Sequence, residues 1–239
     1  SKPQPGETPN MPTSIDAAHA GSPAKQPVRR DPDASQRRIL AAATEVFAAQ
    51  GLDGARVDEI ADRAGINKRM LYHYFGNKDD LFGAVLDEVY ETICRDSAAL
   101  DLNAGPPLAG LARLVDFVVD YYLDNPHAIT LLNAENLHKA RHLKTSARIR
   151  AMQLPFEDML ESLLVRGVAS GDFRPGISGA HLYISAVGLT YYYLSNGHSL
   201  SVFFDRDLYD REELRAWRLH IHEMVQRFVA ARNPRKREH

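Results

Sequence analysis

The sequence predicts an all-α protein in which a few short N-terminal helices precede a larger helical domain. From about residue 35 to residue 232, apolar residues recur at the three- and four-residue spacing of an α-helix. The chain shows no sustained alternation of apolar and polar residues, which would predict strands, and no internal repeat. With 239 residues, 44% of them hydrophobic, it can bury a substantial core.

The first two predicted helices each carry one apolar stripe and end at a glycine. Ser35 is a plausible N-cap for the first helix, which contains Ile39 and Phe47 on its apolar face and stops at Gly51. The second helix is only about two turns long. It covers residues 57–64, where apolar positions fall at i, i+3, i+4 and i+7, and it ends at Gly65.

Two asparagines mark the starts of the next two helices. Asn67 can cap a third short helix that runs to Phe75, because an asparagine side chain accepts hydrogen bonds from the free N–H groups of a first turn. Asn77 can do the same for a fourth helix, which begins near Lys78 and runs to about Asp96.

Five further helical patterns follow the proline pair at 106–107. They cover residues 108–124, 126–138, 144–170, 178–196 and 207–232. Residues 175–204 contain no Asp, Glu, Lys or Arg, a length that could suggest a membrane span. Interior polar residues such as Ser185, Thr190 and Asn196 argue against a span, so we predict a helix buried within protein on most sides and no membrane partner.

The two ends of the chain differ in composition from the rest. Residues 1–32 hold seven of the 13 prolines and lack the apolar core of a secretory signal, which predicts a disordered arm. Residues 233–239 read as a basic tail. Between them we predict a first domain over 33–78 and a second, all-α domain over 79–232.

Charge and cysteine usage limit the classes of partner and compartment. The chain has 29 basic and 31 acidic residues, so no global field draws it to a polyanion, and any such contact must be local. Cys94 is the only cysteine. An internal disulfide is therefore excluded, a reducing, cytoplasmic location is predicted, and Cys94 itself reads as a small buried apolar residue.

Positive charge and aromatic residues concentrate in the stretch AGINKRMLYHYFGNKDDL, residues 64–81. Lys68, Arg69 and Lys78 give residues 67–78 a net charge of +3, because no acidic residue lies among them. Two short helices joined at Gly65 form a helix-turn-helix, whose second helix can enter the major groove of DNA. Gly65 suits the positive φ of such a turn, and Ile66 can pack into the core.

Residues in the first turn of a recognition helix reach base edges, and an arginine there can pair with guanine through two hydrogen bonds. Tyrosines and the lysine at the next helix start can bind phosphates. The alternative for Tyr74 is core packing, and for Lys68 and Arg69 a solvated helix face. The predicted DNA-binding residues are Arg56, Asn67, Lys68, Arg69, Met70, Tyr72, His73, Tyr74 and Lys78.

The run from Ile39 to Leu86 resembles the DNA-binding domain of tetracycline-repressor-like (TetR) transcriptional regulators. Its AT-x-x-F-x-x-x-G, D-x-IA-x-x-AG and LY-x-x-F-x-x-K elements occur in the family's order and spacing, over about a fifth of the chain. The chain departs from the family where Thr or Ser often caps the second helix, since it has Ala55 and Arg56 there. Arg56 is then expected to supply the phosphate contact.

The resemblance implies that the remaining helices both dimerise and bind a small-molecule effector. A homodimer is also economical physically, because two helix-turn-helix units can read half-sites about 34 Å apart. The last two helices are the predicted dimer surface; the alternative for their residues is intramolecular core, and the two can hold for different faces. The predicted interface residues are Leu182, Ala186, Leu189, Trp217, Ile221, Met224, Val225 and Phe228.

Aromatic and amide residues on otherwise apolar helices suggest a ligand cavity, since such a mixture can orient a small molecule. Each of them could instead find a partner in the core. The predicted effector-binding residues are Tyr90, Phe117, Tyr121, Asn133, Asn136, Phe156, Tyr183 and Tyr191.

Glu135, His138 and His142 stand at i, i+3 and i+7, a spacing that would place them on one helix face. Neighbouring basic residues make this surface positive, so we predict no metal site, and no cofactor is indicated. The sequence also lacks the G-x-S-x-G, phosphate-loop and H-E-x-x-H signatures of common enzymes, which predicts that the protein is not an enzyme.

We therefore predict a DNA-binding transcriptional regulator, a repressor that a small-molecule effector releases from double-stranded operator DNA. Two alternatives stay open at this point. One is an enzyme with an attached helix-turn-helix domain, acting through the histidine-rich helices, and the other is a DNA-organising protein, which would leave the large C-terminal domain without a purpose.

Overall fold

A computed structural model describes residues 32–231, without the side chains of residues 152–155. The predicted arm and the basic tail lie outside the described residues. Within them the fold is all-α, as predicted. The ten helices are α1 (Pro32–Gly54), α2 (Val57–Ala64), α3 (Lys68–Phe75), α4 (Lys78–Ala98), α5 (Pro107–Asp124), α6 (Pro126–Leu137), α7 (Arg141–Thr145), α8 (Ala147–Ala169), α9 (Gly179–Phe204) and α10 (Arg211–Val229).

The capping residues read from the sequence set the boundaries of α2, α3 and α4. Gly65 ends α2 in the left-handed region at φ 64°. Asn67 caps α3 by accepting a hydrogen bond from the Met70 N–H, and Asn77 forms a capping box with Asp80 at the start of α4. These helices begin and end where the local sequence predicts, because each boundary is fixed within a few residues of chain.

The predicted start of the first helix is wrong. Pro32 is already helical, and Ser35, only 2% exposed, lies inside α1 and does not cap it. Proline is favourable in a first turn because the N–H it lacks would have no helical partner there. The predicted break at Gly51 is confirmed, since its φ of 69° and ψ of 175° leave helical geometry before a last turn to Gly54.

The later helices differ from their predicted ranges at three places. The pattern over 144–170 is divided at Ser146, which caps α8 by accepting from the Ile149 N–H. Helix α9 continues to Phe204, eight residues beyond its predicted end at 196, and α10 starts at Arg211 rather than 207. Asp210 caps α10 by accepting from the Glu212 N–H, so a local hydrogen bond sets its start.

One continuous core joins the helix-turn-helix to the other helices. Helix α1 packs against α2, α4 and α6, while α8 packs against α4, and α5 packs against α8, α9 and α10. The rings of Phe47 on α1 and Phe82 on α4 meet edge to face, with centroids 5.1 Å apart. Aromatic contact at the centre of the core therefore connects α1 to the long helix α4.

The charge-free segment becomes α9, which is buried along one face only. Leu182, Ala186 and Tyr193 are buried, whereas Ile184 and Tyr192 are exposed. The prediction of a helix buried on most sides is therefore wrong, because the absence of charged residues from a segment does not reveal how many neighbours it has. No helix within residues 32–231 combines the length and apolar character needed to cross a membrane.

Candidate DNA-binding surface and effector cavity

The helix-turn-helix consists of α2, the turn at Gly65 and α3. Ile60 of α2 and Leu71 of α3 are both fully buried, and Ile66 packs against the same core. The N–H groups of Gly65 and Ile66 bond back to carbonyls at the end of α2, which closes the turn. Because Leu71 is the only fully buried residue of α3, most of that helix is available at the surface.

The two basic residues at the start of α3 have different surroundings. Lys68 Nζ lies 2.8 Å from Asp58 Oδ1 on α2, and the hydrogen bond between them raises the pKa of Lys68 and lowers that of Asp58. Arg69 is exposed and has no hydrogen-bond or ion-pair partner in residues 32–231. Arg69 can therefore bind DNA without first breaking an internal contact, whereas Lys68 must share its charge with Asp58.

Lys78 and Asn67 have structural roles of their own. Lys78 Nζ donates to the backbone oxygens of Asp53 and Ala55, at 3.3 and 3.2 Å, and so ties the start of α4 to the connection between α1 and α2. Asn67 uses its side-chain oxygen as the α3 cap. Each retains N–H groups for DNA, but substitution of either would also disturb the position of a helix.

The other predicted contact residues of α3 are divided between surface and core. Tyr72 and His73 are exposed, while Met70 is half-buried. Tyr74 is half-buried against the core, with its ring near those of His73 and Phe75. Core packing and a hydroxyl at the surface are compatible for Tyr74, because a tyrosine can bury its ring and keep its polar end wet.

Arg56 is the N-cap residue of α2 and makes no side-chain capping bond. The first N–H groups of α2 therefore lack the side-chain oxygen that Ser or Thr would supply, and the side chain of Arg56 is exposed beside them. A helix start with free N–H groups and a neighbouring guanidinium suits a phosphate.

We expect Arg56→Ser to raise the free energy of unfolding by about 1 kcal/mol, because serine can accept a hydrogen bond from the α2 N-terminus. Denaturant unfolding measures this gain, and Arg56→Ala is the matched control, since it removes the same charge without adding a cap. Equal stability of the serine and alanine variants would contradict the capping role of this position.

A cavity of about 560 Å³ lies among α4, α5, α6, α8 and α9. Three of the predicted effector residues, Tyr90, Phe156 and Tyr183, line it. The rings of Phe156 and Tyr183 meet edge to face with centroids 5.0 Å apart. Its volume lies in the range of about 300–1,000 Å³ that is usual for small-molecule sites.

The other predicted effector residues do not line this cavity. Tyr191 donates to Asn133 Oδ1 at 2.7 Å, Asn133 Nδ2 donates to Ser195 Oγ, and Asn136 Nδ2 donates to the Leu132 carbonyl oxygen. Phe117 packs near Tyr121, whose hydroxyl donates to the Val89 carbonyl oxygen. These side chains bond or pack within the protein, which is the alternative to effector binding that the sequence left open.

Sequence reasoning missed other residues of the cavity wall. Tyr122, Glu157 and Glu161 line it, and so does Cys94, which is only partly buried. Tyr122 follows the selected Tyr121 directly, and helical periodicity alone does not say which of two adjacent tyrosines faces the space. The spacing of Glu157 and Glu161, four residues apart on α8, could have indicated that both lie on the helix face that lines the cavity.

The eight predicted interface residues fall into two groups. Leu182, Ala186, Ile221 and Val225 are buried within the protomer, and Leu189 and Trp217 are half-buried. Met224 is 47% exposed and Phe228 43% exposed. The last two line an apolar cleft between α9 and α10, together with the exposed Ile184 and Tyr192, which sequence reasoning did not select.

Glu135 and His142 meet, but not on one helix as their spacing suggested. Helix α6 ends at Leu137, and Lys139 and Ala140 have positive φ, so the chain reverses before α7. Glu135, 1% exposed, has Oε2 2.6 Å from His142 Nδ1, and its Oε1 accepts from the N–H groups of His142 and Leu143. In the described part of the chain, no three His, Cys, Asp or Glu side chains are grouped to hold a metal.

This buried pair places α7 against α4. The His142 ring meets that of Phe82 edge to face at 5.2 Å, and Arg141 Nη2 lies 2.9 Å from Asp79 Oδ1 near the start of α4. Phe82 also contacts Phe47 of α1. A row of contacts therefore runs from the end of α6 through α7 and α4 to α1, which packs against α2 of the helix-turn-helix.

Comparison with protein-family models gives two matches. Residues 39–85 match the model described as "Bacterial regulatory proteins, tetR family". Residues 107–225 match the model described as "Tetracyclin repressor-like, C-terminal domain". The first match contains α2 and α3, and the second contains most helices around the cavity.

Individual relatives agree with these models. The chain is 36% identical to the HTH-type transcriptional repressor NicS of Pseudomonas putida over 195 residues, which cover 82% of this chain and 92% of the repressor. A tetR-family regulatory protein from Rhodococcus RHA1 has a similar fold, with a TM-score of 0.64 and 20% identity over 83% of this chain and 98% of that one. So does the regulator FadR from Bacillus subtilis in complex with stearoyl-CoA, with a TM-score of 0.57 and 18% identity over 81% and 98% of the two chains.

Proposed function

The chain belongs to the TetR family of bacterial transcriptional regulators and is therefore a DNA-binding regulator, and we propose that it is a homodimeric repressor. Its affinity for the operator falls when a small molecule enters the cavity among α4, α5, α6, α8 and α9. The observation that carries this proposal is the exposed face of α3. In its first turn, Arg69 has no partner among the described residues, and Lys68 lies next to it. A helix presented in this way can enter a major groove, while Arg56 and Tyr72 bind the flanking phosphates.

The proposed homodimer forms through the apolar cleft between α9 and α10. Ile184, Tyr192, Met224 and Phe228 give this surface large exposed side chains, and water contact with such a contiguous patch is unfavourable. A second copy packed there would bury these side chains and present two copies of α3 to successive half-sites of an operator.

The proposed coupling between cavity and DNA runs along α4. Its first residue, Lys78, bonds to the α1–α2 connection, and Tyr90, Ile93, Cys94 and Ser97 from its second half line the cavity. A ligand that prefers a slightly different position of α4 would shift the two α3 helices away from the spacing that the operator requires. By linkage, operator DNA must weaken ligand binding by the same factor.

The direct test of the DNA-binding surface is Arg69→Ala. We expect footprinting and titration against an operator near the protein's own gene to show a loss of about 1–3 kcal/mol in binding free energy, with relaxed specificity at one base pair, if Arg69 pairs with guanine. Arg150→Ala is the control, because Arg150 is an exposed arginine on α8, away from the helix-turn-helix. Unchanged operator affinity after joint replacement of Lys68 and Arg69 would rule out this surface.

A further inference from the structure

The charged residues in the cavity wall are all of one sign. Among its described lining residues, Glu157 and Glu161 are the charged ones, and no Lys, Arg or His is present. On the surrounding helices, Arg148 is paired with Glu88 and Glu91, and Arg95 with Asp96. Among the described lining residues, no basic side chain balances the charge of the two glutamates.

Three tyrosine hydroxyls in the wall make no hydrogen bond to the part of the protein that the structure describes. Tyr122 is 7% exposed and lines the cavity, and its hydroxyl makes no hydrogen bond within the described residues. The hydroxyls of Tyr90 and Tyr183 are also without one. Because they line the cavity and make no internal bond, these hydroxyls are available to donate to or accept from a ligand.

Burial further disfavours ionisation of these three tyrosines, which are neutral at pH 7 even in water. It raises the pKa of Tyr122 above its ordinary range and that of Tyr183 to about 12, and burial together with the charge of Glu135 raises that of Tyr90. A neutral phenol presents an aromatic face with negative potential and a hydroxyl that can donate or accept. The wall therefore offers aromatic faces and carboxylates, both of which attract positive charge.

One feature of the cavity could instead attract an anion, namely the N-terminus of α9 at Ser178 and Gly179. Glu161 already occupies this position, because its Oε1 accepts from the Gly179 N–H at 3.3 Å. Glu157, one turn earlier on α8, has no partner among the described side chains. An incoming carboxylate would meet two negative groups and no free cation.

We propose that the effector is an organic cation, an amine or protonated nitrogen heterocycle carried on an apolar, preferably aromatic, body. This inference rests on the proposed function and names the ligand class of the same cavity. The apolar body contacts Phe156 and Ile93, the nitrogen faces Glu157 and the tyrosine rings, and the phenol hydroxyls bond to polar atoms of the ligand. Acidic effectors such as fatty acids are disfavoured by charge repulsion.

The test uses three ligands that share one ring system: naphthylethylamine, naphthylacetate and naphthylacetamide. Calorimetry with the full chain should show the tightest binding for the amine. The double variant Glu157→Gln/Glu161→Gln should weaken the amine by about five- to tenfold, a modest factor because both glutamates are exposed and water screens their charge, and leave the amide unchanged. Asp158→Asn is the matched control, since it removes one charge from α8 at an exposed position that does not line the cavity.

Binding of the acetate as tightly as the amine, absence of binding by all three ligands, or an amine affinity that the double variant does not change would each overturn the ligand class. Operator footprinting on the same preparation separates this failure from failure of the proposed function. If the protein protects a discrete operator but does not prefer the amine, only the ligand class is contradicted and the repressor function stands. If it protects no discrete operator, the proposed function itself is contradicted.

Discussion

Replacing Met224 by glutamate should convert the proposed homodimer into monomers and reduce operator affinity by at least about a hundredfold. Met224 is about half exposed in the protomer and lines the apolar cleft between α9 and α10, so the substitution leaves the isolated fold intact. In a dimer, the new carboxylate would be buried without a partner, which costs several kcal/mol. A monomer would also lose the second half-site, and with it most of its specific binding.

Light scattering at micromolar concentration and operator titration measure the two effects. Gln226→Glu is the matched control, because it adds the same charge at an exposed position of α10 that does not line the cleft. If Met224→Glu remains dimeric while both variants bind the operator normally, the α9–α10 cleft is not the interface. A monomeric unmodified protein would remove the homodimer from the proposal altogether.

Replacing Phe82 by alanine should lower the free energy of unfolding by about 3–5 kcal/mol. Phe82 is fully buried on α4 between the Phe47 ring of α1 and the His142 ring of α7. Removing the ring leaves a cavity and breaks both aromatic contacts, because the surrounding helices can relax only in part. Since these contacts join α4 to α1, which packs against α2 of the helix-turn-helix, the response of operator binding to ligand should weaken as well.

Denaturant unfolding at fixed protein concentration measures the loss of stability. Phe203→Ala makes the same chemical change at an exposed position near the end of α9 and should cost no more than about 0.5 kcal/mol in the protomer. A loss below about 1 kcal/mol for Phe82→Ala would mean that the core between α1, α4 and α7 is packed more loosely than the structure has it.

Sequence reasoning was most successful where a few adjacent residues fix the backbone. Gly65, Asn67 and Asn77 predicted the boundaries of three consecutive helices correctly, since caps and positive-φ turns are local. Ser35 failed as a cap because the same residue type also occurs inside helices. The division at Ser146 was missed because Ser146 lies only two residues inside the pattern predicted from 144, and a serine there does not by itself signal a break between helices.

For the site, the sequence identified the residue types of the cavity but not their orientation. Tyr191 and Asn133 bond to each other, whereas Tyr122, which was not selected, lines the cavity. Periodicity assigns residues to a helix face, but the partner of that face is set by segments far away in the chain. The pairing of Lys68 with Asp58 is local, but it depends on the angle between α2 and α3, which periodicity does not give.

The amino-acid sequence by itself determined the all-α class, the helix-turn-helix and the regulator family, because these depend on local caps, turns and short motif spacings. Only the tertiary structure decided which residues of α9 and α10 are core and which are exposed, and where the cavity lies. It also decided that the charged residues lining the cavity are glutamates. The physical reason is that burial and unbalanced charge depend on contacts between helices far apart in the sequence, and a stripe of apolar residues carries no record of what it will pack against.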